Sequence, residues 1–292
     1  MVYIPYKERC SIYEKFGLKR KLFRMNSEYT ETSAKSLIRG LLVLECFSPT
    51  ENSFSLSELS KRMNIPKSSL YRVVKALSQM NYLRYDVQSK RYYLGMRVLS
   101  LGFSLLQGME LRDIARPYME VLSRESNKTV NLAILDKDEM VYIERIRVPS
   151  IRAFNVGVGN RIPPWNTAVG RAFIAFLEKE KVEAMLKKTQ ESQGIKIDED
   201  ALAKSLADVR RNGFATNDQE FQSGILAVAV PVFSSRGIIC AINLVTEPED
   251  VSIDVLKTQY APKLLKIGRE LSEALGYRPE THNIEETLWT AQ

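Results

Sequence analysis

The residues in this sequence whose types and spacing most clearly indicate a chemical role are a set of polar and cationic side chains within residues 67–75. The set consists of Lys67, Ser68, Ser69, Tyr71, Arg72 and Lys75. Cations and hydroxyls on one side of a helix can hydrogen-bond phosphate oxygens and base edges in the major groove of duplex DNA. The two serines, near the N-terminus of that helix, can also donate to phosphates together with free backbone amides. These residues therefore predict a nucleic-acid contact.

The helix that must present these side chains has an apolar stripe on its other side. Leu70, Val73, Val74 and Leu77 recur at the i, i+3, i+4, i+7 spacing of a buried helix face. Pro66 stands at its start, where a missing N–H costs nothing. A shorter helix comes before it and begins with the capping-box sequence of residues 55–58. Two helices joined by a tight turn are the arrangement that helix-turn-helix proteins use to enter the major groove.

A basic hairpin follows the two helices. Residues 83–85 and 91–94 alternate polar and apolar side chains around a polar segment, which predicts two strands and a turn. Its basic residues, Arg84, Lys90 and Arg91, are expected near the DNA backbone or in the adjacent minor groove. The pattern predicts a winged helix-turn-helix over residues 33–95. The alternative is an ordinary solvated helix whose exposed side is charged for solubility.

An earlier helix is predicted from residue 33 to near Pro49. Leu37, Leu41 and Leu44 recur at i, i+4, i+7 and indicate one apolar face. The run from Met96 to Gln107 is amphipathic and predicts a connecting helix, within a linker of residues 96–108. This helix is a candidate contact between copies of the chain.

Charge is distributed unevenly along the chain. Of the net charge of +7, residues 1–96 carry +9, from 17 Lys and Arg against 8 Asp and Glu, and the remaining 25 basic and 27 acidic residues carry −2. A basic block of this kind favours a polyanionic partner, because neutralised phosphates release counterions. Three dispersed cysteines and the absence of a long apolar run predict a cytoplasmic protein without a membrane segment.

The remainder of the chain alternates helices and strands and predicts an α+β domain with a mainly antiparallel sheet. Strands are expected at residues 130–135, 140–147, 151–156, 225–233 and 238–245, and helices at 111–126, 167–177, 179–188, 200–212 and 253–275. No catalytic elbow, phosphate-binding glycine loop or histidine-based metal motif stands in it. We therefore expect no enzyme activity, no cofactor and no metal.

Several segments together resemble the IclR family of transcription regulators. The resemblance covers residues 33–277 in the family's order. It rests on residues 36–47, 56–59, 65–72, 93–95, 141–145, 162–172, 213–215 and 227–232, with Glu220 and Gly224. It implies an N-terminal winged helix-turn-helix and a C-terminal GAF-like, profilin-like effector-binding domain over residues 109–277. Arg39, in the opening helix, joins the expected DNA contacts.

The resemblance also implies positions for a small-molecule site. The matching positions are Ala168, Val169, Asn217, Asp218, Ala227, Asn243 and Val245. Thr167 is expected to cap a helix whose N-terminal amides receive a carboxylate, and Trp165 to form an apolar wall. The alternative is that Thr167 is only a cap, Asp218 starts a turn and Asn243 is a satisfied polar residue of an inner strand.

Two departures from the family pattern limit what can be transferred. Ser69-Leu70-Tyr71 stands where the family often has Thr-Val-His, and Pro164-Trp165 stands where a Leu-His pair is usual. The operator sequence and the effector therefore remain open, with organic acids, sugar acids and aromatic acids all candidates. Both repression and activation, and a ligand-independent DNA-binding protein, also remain open.

Two-fold symmetry is the remaining expectation, because one recognition helix contacts too few bases to be specific. The chain is therefore predicted to form a homodimer or a dimer of dimers on double-stranded operator DNA. Residues 1–32 are expected to form a basic extension, and residues 278–292 a tail.

Overall fold

The computed structural model describes residues 34–48, 51–148 and 157–278 of the chain. Several expectations lie outside these residues: the basic extension, the strand at 151–156 and all of the tail after Arg278. The described chain divides into two compact units, one ending at Gly108 and the other beginning at Met109.

The first unit is a winged helix-turn-helix. Its elements are α1 (Lys35–Glu45), β1 (Ser53–Phe54), α2 (Leu56–Met63), α3 (Lys67–Gln79), β2 (Leu83–Asp86), β3 (Arg91–Leu94) and α4 (Met96–Gln107). The three strands form a small antiparallel sheet in the order β1-β3-β2. The hairpin expected from the sequence is therefore present, and a short third strand that the sequence analysis missed lies on its edge.

The core of this unit is built from apolar side chains of α1, α2, α3 and the sheet. Leu59 from α2, and Leu70 and Val74 from α3, are completely buried. The predicted apolar stripe of α1 is wrong, because Leu37 and Leu41 are 64% and 53% exposed while α1 buries Gly40, Leu42 and Val43. This helix is apolar on more than one side, so spacing alone did not identify the buried face. It also ends at Glu45, before the predicted limit at Pro49.

Local hydrogen bonds set the start of α2 as the sequence predicts. The Ser55 side chain accepts from the Glu58 N–H at 3.2 Å, and the Glu58 carboxylate accepts from the Ser55 N–H at 2.7 Å. Asn64, in the left-handed conformation with a φ of 53°, ends the helix. The chain turns through Ile65 and Pro66 directly into α3, which fixes the short helix-to-helix connection.

The second unit has helices on both faces of an antiparallel sheet. Its elements are α5 (Glu110–Ser126), β4 (Thr129–Asp136), β5 (Glu139–Ile146), β6 (Arg161–Ile162), α6 (Ala168–Ile174), α7 (Lys179–Gln193), α8 (Glu199–Asn212), β7 (Ala215–Asp218), β8 (Leu226–Ser234), β9 (Gly237–Thr246), α9 (Ile253–Val255), a π-helical turn (Leu256–Tyr260) and α10 (Ala261–Ala274). Within the described residues six strands pair in the order β6-β5-β4-β9-β8-β7, each antiparallel to its neighbour. This is the α+β class expected.

The two faces of this sheet carry different side chains. On one face, which we call the small-residue face, Ala133, Ala227, Ala229 and Ala241 pack with α6, α7 and α8. On the other face, residues such as Val228, Ile242 and Leu244 pack with α5 and α10. Small side chains leave room above a sheet, so the small-residue face is where side chains from the surrounding loops and helix ends can converge.

Candidate functional site

The cationic side of α3 is exposed, as the amphipathic pattern predicts. Lys67, Ser68, Tyr71, Arg72 and Lys75 are exposed, and Ser69 is half-buried. The opposite side holds the helix in the core of its unit. The helix therefore offers hydroxyl, phenol and cationic groups together on one surface, with its N-terminal end carrying the positive pole of the helix dipole.

The hairpin of β2 and β3, which we call the wing, is held by specific contacts. Asp86 accepts hydrogen bonds from the N–H groups of Gln88 and Ser89 at 2.9 and 3.2 Å, and these bonds lower the pKa of the Asp86 carboxyl. Lys90 lies at the exposed tip with a φ of 53°. Arg84 is exposed, and its guanidinium lies 4.8 Å from the centre of the Tyr93 ring. Arg84 and Lys90 thus present cations on the wing surface.

Arg91, a third predicted DNA contact, has its guanidinium turned toward the protein. Its Nε donates to Ser53 Oγ at 2.9 Å, and its Nη2 donates to the Ser53 carbonyl at 2.9 Å. The same nitrogen lies 3.0 Å from Glu58 Oε2. Arg91 therefore joins the wing to β1 and to the start of α2.

The structure also places an aromatic group that sequence reasoning missed. Tyr85 of β2 stacks at a tilt on Tyr92 of β3, with ring centres 4.8 Å apart, and its ring is exposed. Burial, and then the nearby Tyr85 and Tyr71, raise the pKa of Tyr92. Tyr71 of α3 therefore lies near the wing tyrosines. Arg39 lies elsewhere, half-buried on α1.

In the second unit, strand register brings four of the predicted small-molecule positions together. Ala227 of β8 pairs with both Asn217 of β7 and Val245 of β9. Asn243, two residues before Val245, pairs with Ala229 on the next row. Paired residues project from the same face of an antiparallel sheet about 5 Å apart. These four positions therefore form one patch on the small-residue face.

The turn before α6 lies against this patch. The side chain of Thr167 accepts from the Gly170 N–H at 3.2 Å and donates to the Pro163 carbonyl at 2.7 Å, so the predicted cap is present. Ala168 and Val169 follow it and are buried. The Asn217 side chain donates to the Asn166 carbonyl at 2.7 Å, which ties β7 to this turn.

Gly170 shows how tightly the turn folds back on α6. A Cβ atom at this position would lie 2.2 Å from the Cα of Pro164 and 2.3 Å from its carbonyl oxygen. Only glycine therefore allows the backbone of the turn to rest on the first turn of the helix. This contact fixes Trp165 and Asn166, which lie between the two.

Asn243 belongs to a buried hydrogen-bond network that the sequence did not reveal. It accepts from the Asn131 side chain at 2.9 Å and donates to the Tyr142 hydroxyl at 3.4 Å. Burial raises the pKa of Tyr142 to about 12, against a smaller opposing effect of the Asn243 hydrogen bond. Asn243 is therefore already engaged within the sheet, and the network forms a polar strip on the small-residue face.

Asp218 stands apart from the other predicted positions. It is exposed at the end of β7, and its carboxylate accepts from the side chain of Gln219 at 3.1 Å. Neighbouring residues of a strand point to opposite faces, so Asp218 projects away from the face that carries Asn217. The structure matches the alternative considered for this residue, a place at the start of a turn. Trp165, in contrast, is half-buried and packs against the core of the small-residue face.

An ion pair between a buried arginine and an exposed glutamate lies beside the patch and was also missed. Arg171 of α6 is buried, and its two terminal nitrogens lie 2.7 and 2.8 Å from the carboxylate oxygens of Glu220. It also donates to the Thr216 carbonyl. A bidentate pair of this kind fixes orientation as well as distance, so it holds the loop after β7 against α6. Its residues are 49 apart in sequence, which gives no local signal.

The described part of the chain holds neither a cluster of metal-binding side chains nor a helix able to cross a membrane. Among these residues, no three His, Cys, Asp or Glu side chains are grouped so that they could hold a metal ion. Within the same residues, no helix combines the length and the apolar character needed to cross a membrane.

Comparison with known proteins gives the same two-part organisation. Residues 36–87 match the IclR helix-turn-helix domain, and residues 103–273 match the family described as bacterial transcriptional regulator IclR C-terminal. The HTH-type transcriptional regulator XynR of Escherichia coli strain K12 is 30% identical over 247 residues, which span 83% of this chain and 98% of XynR.

Solved structures show the same fold. An IclR-family transcriptional regulator from Brucella abortus superposes with a TM-score of 0.73 at 26% identity, covering 85% of this chain and 95% of that one. An IclR homologue from Microbacterium hydrocarbonoxydans, solved in complex with 4-hydroxybenzoate, has a TM-score of 0.67 at 23% identity, covering 82% and 98%. With its helix-turn-helix, its exposed cationic helix face and its C-terminal effector-binding domain, this chain belongs to the IclR family of bacterial transcriptional regulators.

Proposed function

We propose that this regulator binds operator DNA through the exposed side of α3 and the cations of the wing. The observation that carries the proposal is the clean division of α3 between a buried apolar side and an exposed side with Tyr71, Arg72 and Lys75. Cations on such a surface contact phosphates and guanine edges, and a tyrosine ring can pack against a thymine methyl group. The wing residues Arg84 and Lys90 contribute backbone contacts.

The second part of the proposal is control by a small metabolite. The site is the patch on the small-residue face together with the turn that leads into α6. The C-terminal family match and the convergence of Ala227, Asn217 and Val245 support this location. The complex of the Microbacterium homologue with 4-hydroxybenzoate shows that this fold can hold a small acid in that protein. Organic, sugar and aromatic acids are the effector classes to test.

The third part is assembly as a homodimer or a dimer of dimers. Apolar side chains of α4 support it: Met96, Leu99 and Phe103, spaced i, i+3 and i+7, are 76%, 64% and 60% exposed. A contiguous apolar helix face of this kind marks an interaction surface. A second copy of the chain is the occupant that would also give the two-fold symmetry needed for a palindromic operator.

The chain is proposed to act in the cytoplasm by binding rather than by catalysis. The relatives it matches are transcriptional regulators. Burial alone raises the pKa of the Cys240 thiol far above its ordinary value, so Cys240 does not form the thiolate that a nucleophile needs.

A DNA-binding assay with and without metabolites tests the regulator as a whole. Fluorescence anisotropy should show binding to the promoter region beside the chain's own gene at least tenfold tighter than to random duplex of equal length. One member of an acid panel should change that affinity. Equal affinity for both duplexes at each salt concentration would contradict specific operator binding, since charge alone produces the same salt dependence on any sequence. Specific binding that no metabolite alters would favour the ligand-independent alternative.

A further inference from the structure

Two buried polar atoms in the turn before α6 lack a hydrogen-bond partner among the described residues. They are the indole nitrogen Nε1 of Trp165 and the amide oxygen Oδ1 of Asn166. Asn166 is only 8% exposed. Buried polar groups are almost always hydrogen-bonded, because leaving one unpaired costs about 1–3 kcal/mol. An adjacent donor and acceptor that both lack a partner indicate a ligand that forms a hydrogen bond with each of them.

The two residues are fixed beside the patch described above. The Asn166 carbonyl accepts from the side chain of Asn217, which belongs to the patch. Trp165 packs against the buried cluster that contains Tyr142, Ala227 and Val245. The close contact of Pro164 with Gly170 leaves this turn little room to rearrange. The turn that carries the donor and the acceptor is therefore held in a fixed position beside the patch.

A cation belongs to the same face. Arg145 of β5 pairs with Asn131 of β4, so both side chains project from the small-residue face. Arg145 is half-buried, and Tyr142 lies close enough to influence it electrostatically. Arg145 already makes a contact within the protein, but a guanidinium has five N–H donors and can engage a carboxylate in addition to that contact. The positive charge of Arg145 on this face therefore favours an effector with a carboxylate group.

We propose that Trp165 and Asn166 determine effector specificity: the indole N–H donates to an oxygen of the effector, and Asn166 Oδ1 accepts from an effector hydroxyl. The effector is then a hydroxylated carboxylic acid whose acid group faces Arg145. This inference rests on the proposed location of the effector site. It assigns to this chain's own tryptophan and asparagine the hydrogen bonds that select the ligand.

The sequence provides a direct probe, because its two tryptophans are Trp165 and Trp289. In the full-length protein labelled with ¹⁵N-tryptophan, the Trp165 indole signal is assigned by its loss in Trp165→Phe. Titration uses two matched pairs of compounds: 4-hydroxybenzoate with benzoate, and D-gluconate with D-glucitol. We expect one of the two hydroxylated acids to move the Trp165 indole proton downfield, as a new hydrogen bond does, while the Trp289 signal stays in place. The pair that responds shows whether the effector is an aromatic acid or a sugar acid.

Variants separate a hydrogen-bonding role from a structural one. Trp165→Phe keeps an aromatic ring but removes the indole N–H. It should weaken binding of that acid by roughly fivefold, the equivalent of one neutral hydrogen bond. Asn166→Ala keeps the carbonyl that holds Asn217 and should weaken binding by a similar factor. With 4-hydroxybenzoate as the responding acid, Asn166→Ala should also abolish the preference over benzoate.

The matched control is Thr246→Val. The buried Thr246 hydroxyl also lacks a partner in the described part of the chain, but it projects from the opposite face, and its loss should leave binding unchanged.

The proposal is overturned if neither hydroxylated acid binds, or if binding leaves the Trp165 signal unmoved. With 4-hydroxybenzoate as the responding acid, it is equally overturned if Asn166→Ala retains the full preference over benzoate. A neutral or cationic metabolite that shifts operator affinity would overturn this inference and keep the proposed function. Operator binding that no metabolite alters would mean that the proposed effector control itself fails.

Discussion

Arg72 and Arg91 carry the same sequence-level prediction, but their surroundings assign them different roles. Arg72 is exposed on α3, whereas the Arg91 guanidinium is bound to Ser53 and Glu58. Arg72→Ala should therefore weaken operator binding by about 1–3 kcal/mol, the usual effect of losing a base-edge contact, with no change in melting temperature. Fluorescence anisotropy at fixed salt measures it. Arg236→Ala, an exposed arginine of the second unit, controls for charge alone. Binding by Arg72→Ala equal to that control would show that another face reads the operator.

Tyr142 supports a prediction on alkaline stability. Its pKa in the folded protein is about 12, against an ordinary value of 10.0. The folded state therefore holds the proton more tightly than the unfolded state. The contribution of the Tyr142 hydroxyl to the free energy of unfolding is fully present below pH 10. It is lost as the pH rises through about 12, at up to about 1.4 kcal/mol per pH unit. Urea unfolding of Tyr142→Phe should show a shallower decline than the parent over this range. Parallel declines would mean that other groups dominate.

Resemblance to the family identified part of the small-molecule patch, and contacts across the sheet explain the rest. Asn217, Ala227, Asn243 and Val245 were found through resemblance and do converge. The partners that make the patch polar come from strands far away in sequence: Asn131 lies 112 residues before Asn243. No periodicity connects such positions, because strand order and register decide them. Asp218 lies off this patch for a related reason, since a shift of one residue along a strand reverses the face.

At the scale of elements, the capping box of α2 gives a prediction about local stability. Ser55→Ala removes the acceptor for the Glu58 N–H and should lower the unfolding free energy of the first unit by about 0.5–2 kcal/mol. Ser57→Ala, at a position two residues into the same helix, should be neutral or slightly stabilising. Denaturant unfolding followed by hydrogen exchange in α2 makes the comparison. An equal effect of the two variants would remove the capping box as a determinant.

Elements with long, regular patterns were predicted well, including the four long strands of the larger sheet, whereas the two-residue strands were missed. The helices α3, α5 and α8 lie within one or two residues of their predicted limits, because a regular apolar stripe marks each of them, and α8 also has the Asp198 cap. The strands β1 and β6 have two residues each and exist only because a neighbouring strand pairs with them. In α1 the abundance of apolar residues hid the buried face. Two of its leucines face outward instead, as on a helix that meets another molecule.

At the scale of the whole molecule, we expect the exposed apolar face of α4 to set the proposed assembly state. None of the residues of α4 is buried within its own chain, although more than half of them are apolar. These apolar residues are Met96, Val98, Leu99, Leu101, Phe103, Leu105 and Leu106. Burying such a face between two copies stabilises a dimer by about 25 cal/mol for each Å² of apolar area, before the cost of association. In such a dimer, two-fold symmetry would place two α3 helices on one duplex. We therefore expect the cationic charge of α3 and the two-fold geometry to act together on the operator.

The double variant Leu99→Lys with Phe103→Lys should therefore dissociate the oligomer and abolish specific operator binding, while each chain stays folded. Placing two ammonium groups in an apolar interface leaves them unpaired and desolvated, which costs several kcal/mol. Light scattering after gel filtration measures the mass, and circular dichroism checks the fold. Val121→Lys, at another exposed apolar position, is the matched control and should keep the parent mass. A variant that retains both the parent mass and operator affinity would place the interface elsewhere. A monomer that still bound the operator as tightly as the parent would show that a single recognition helix suffices.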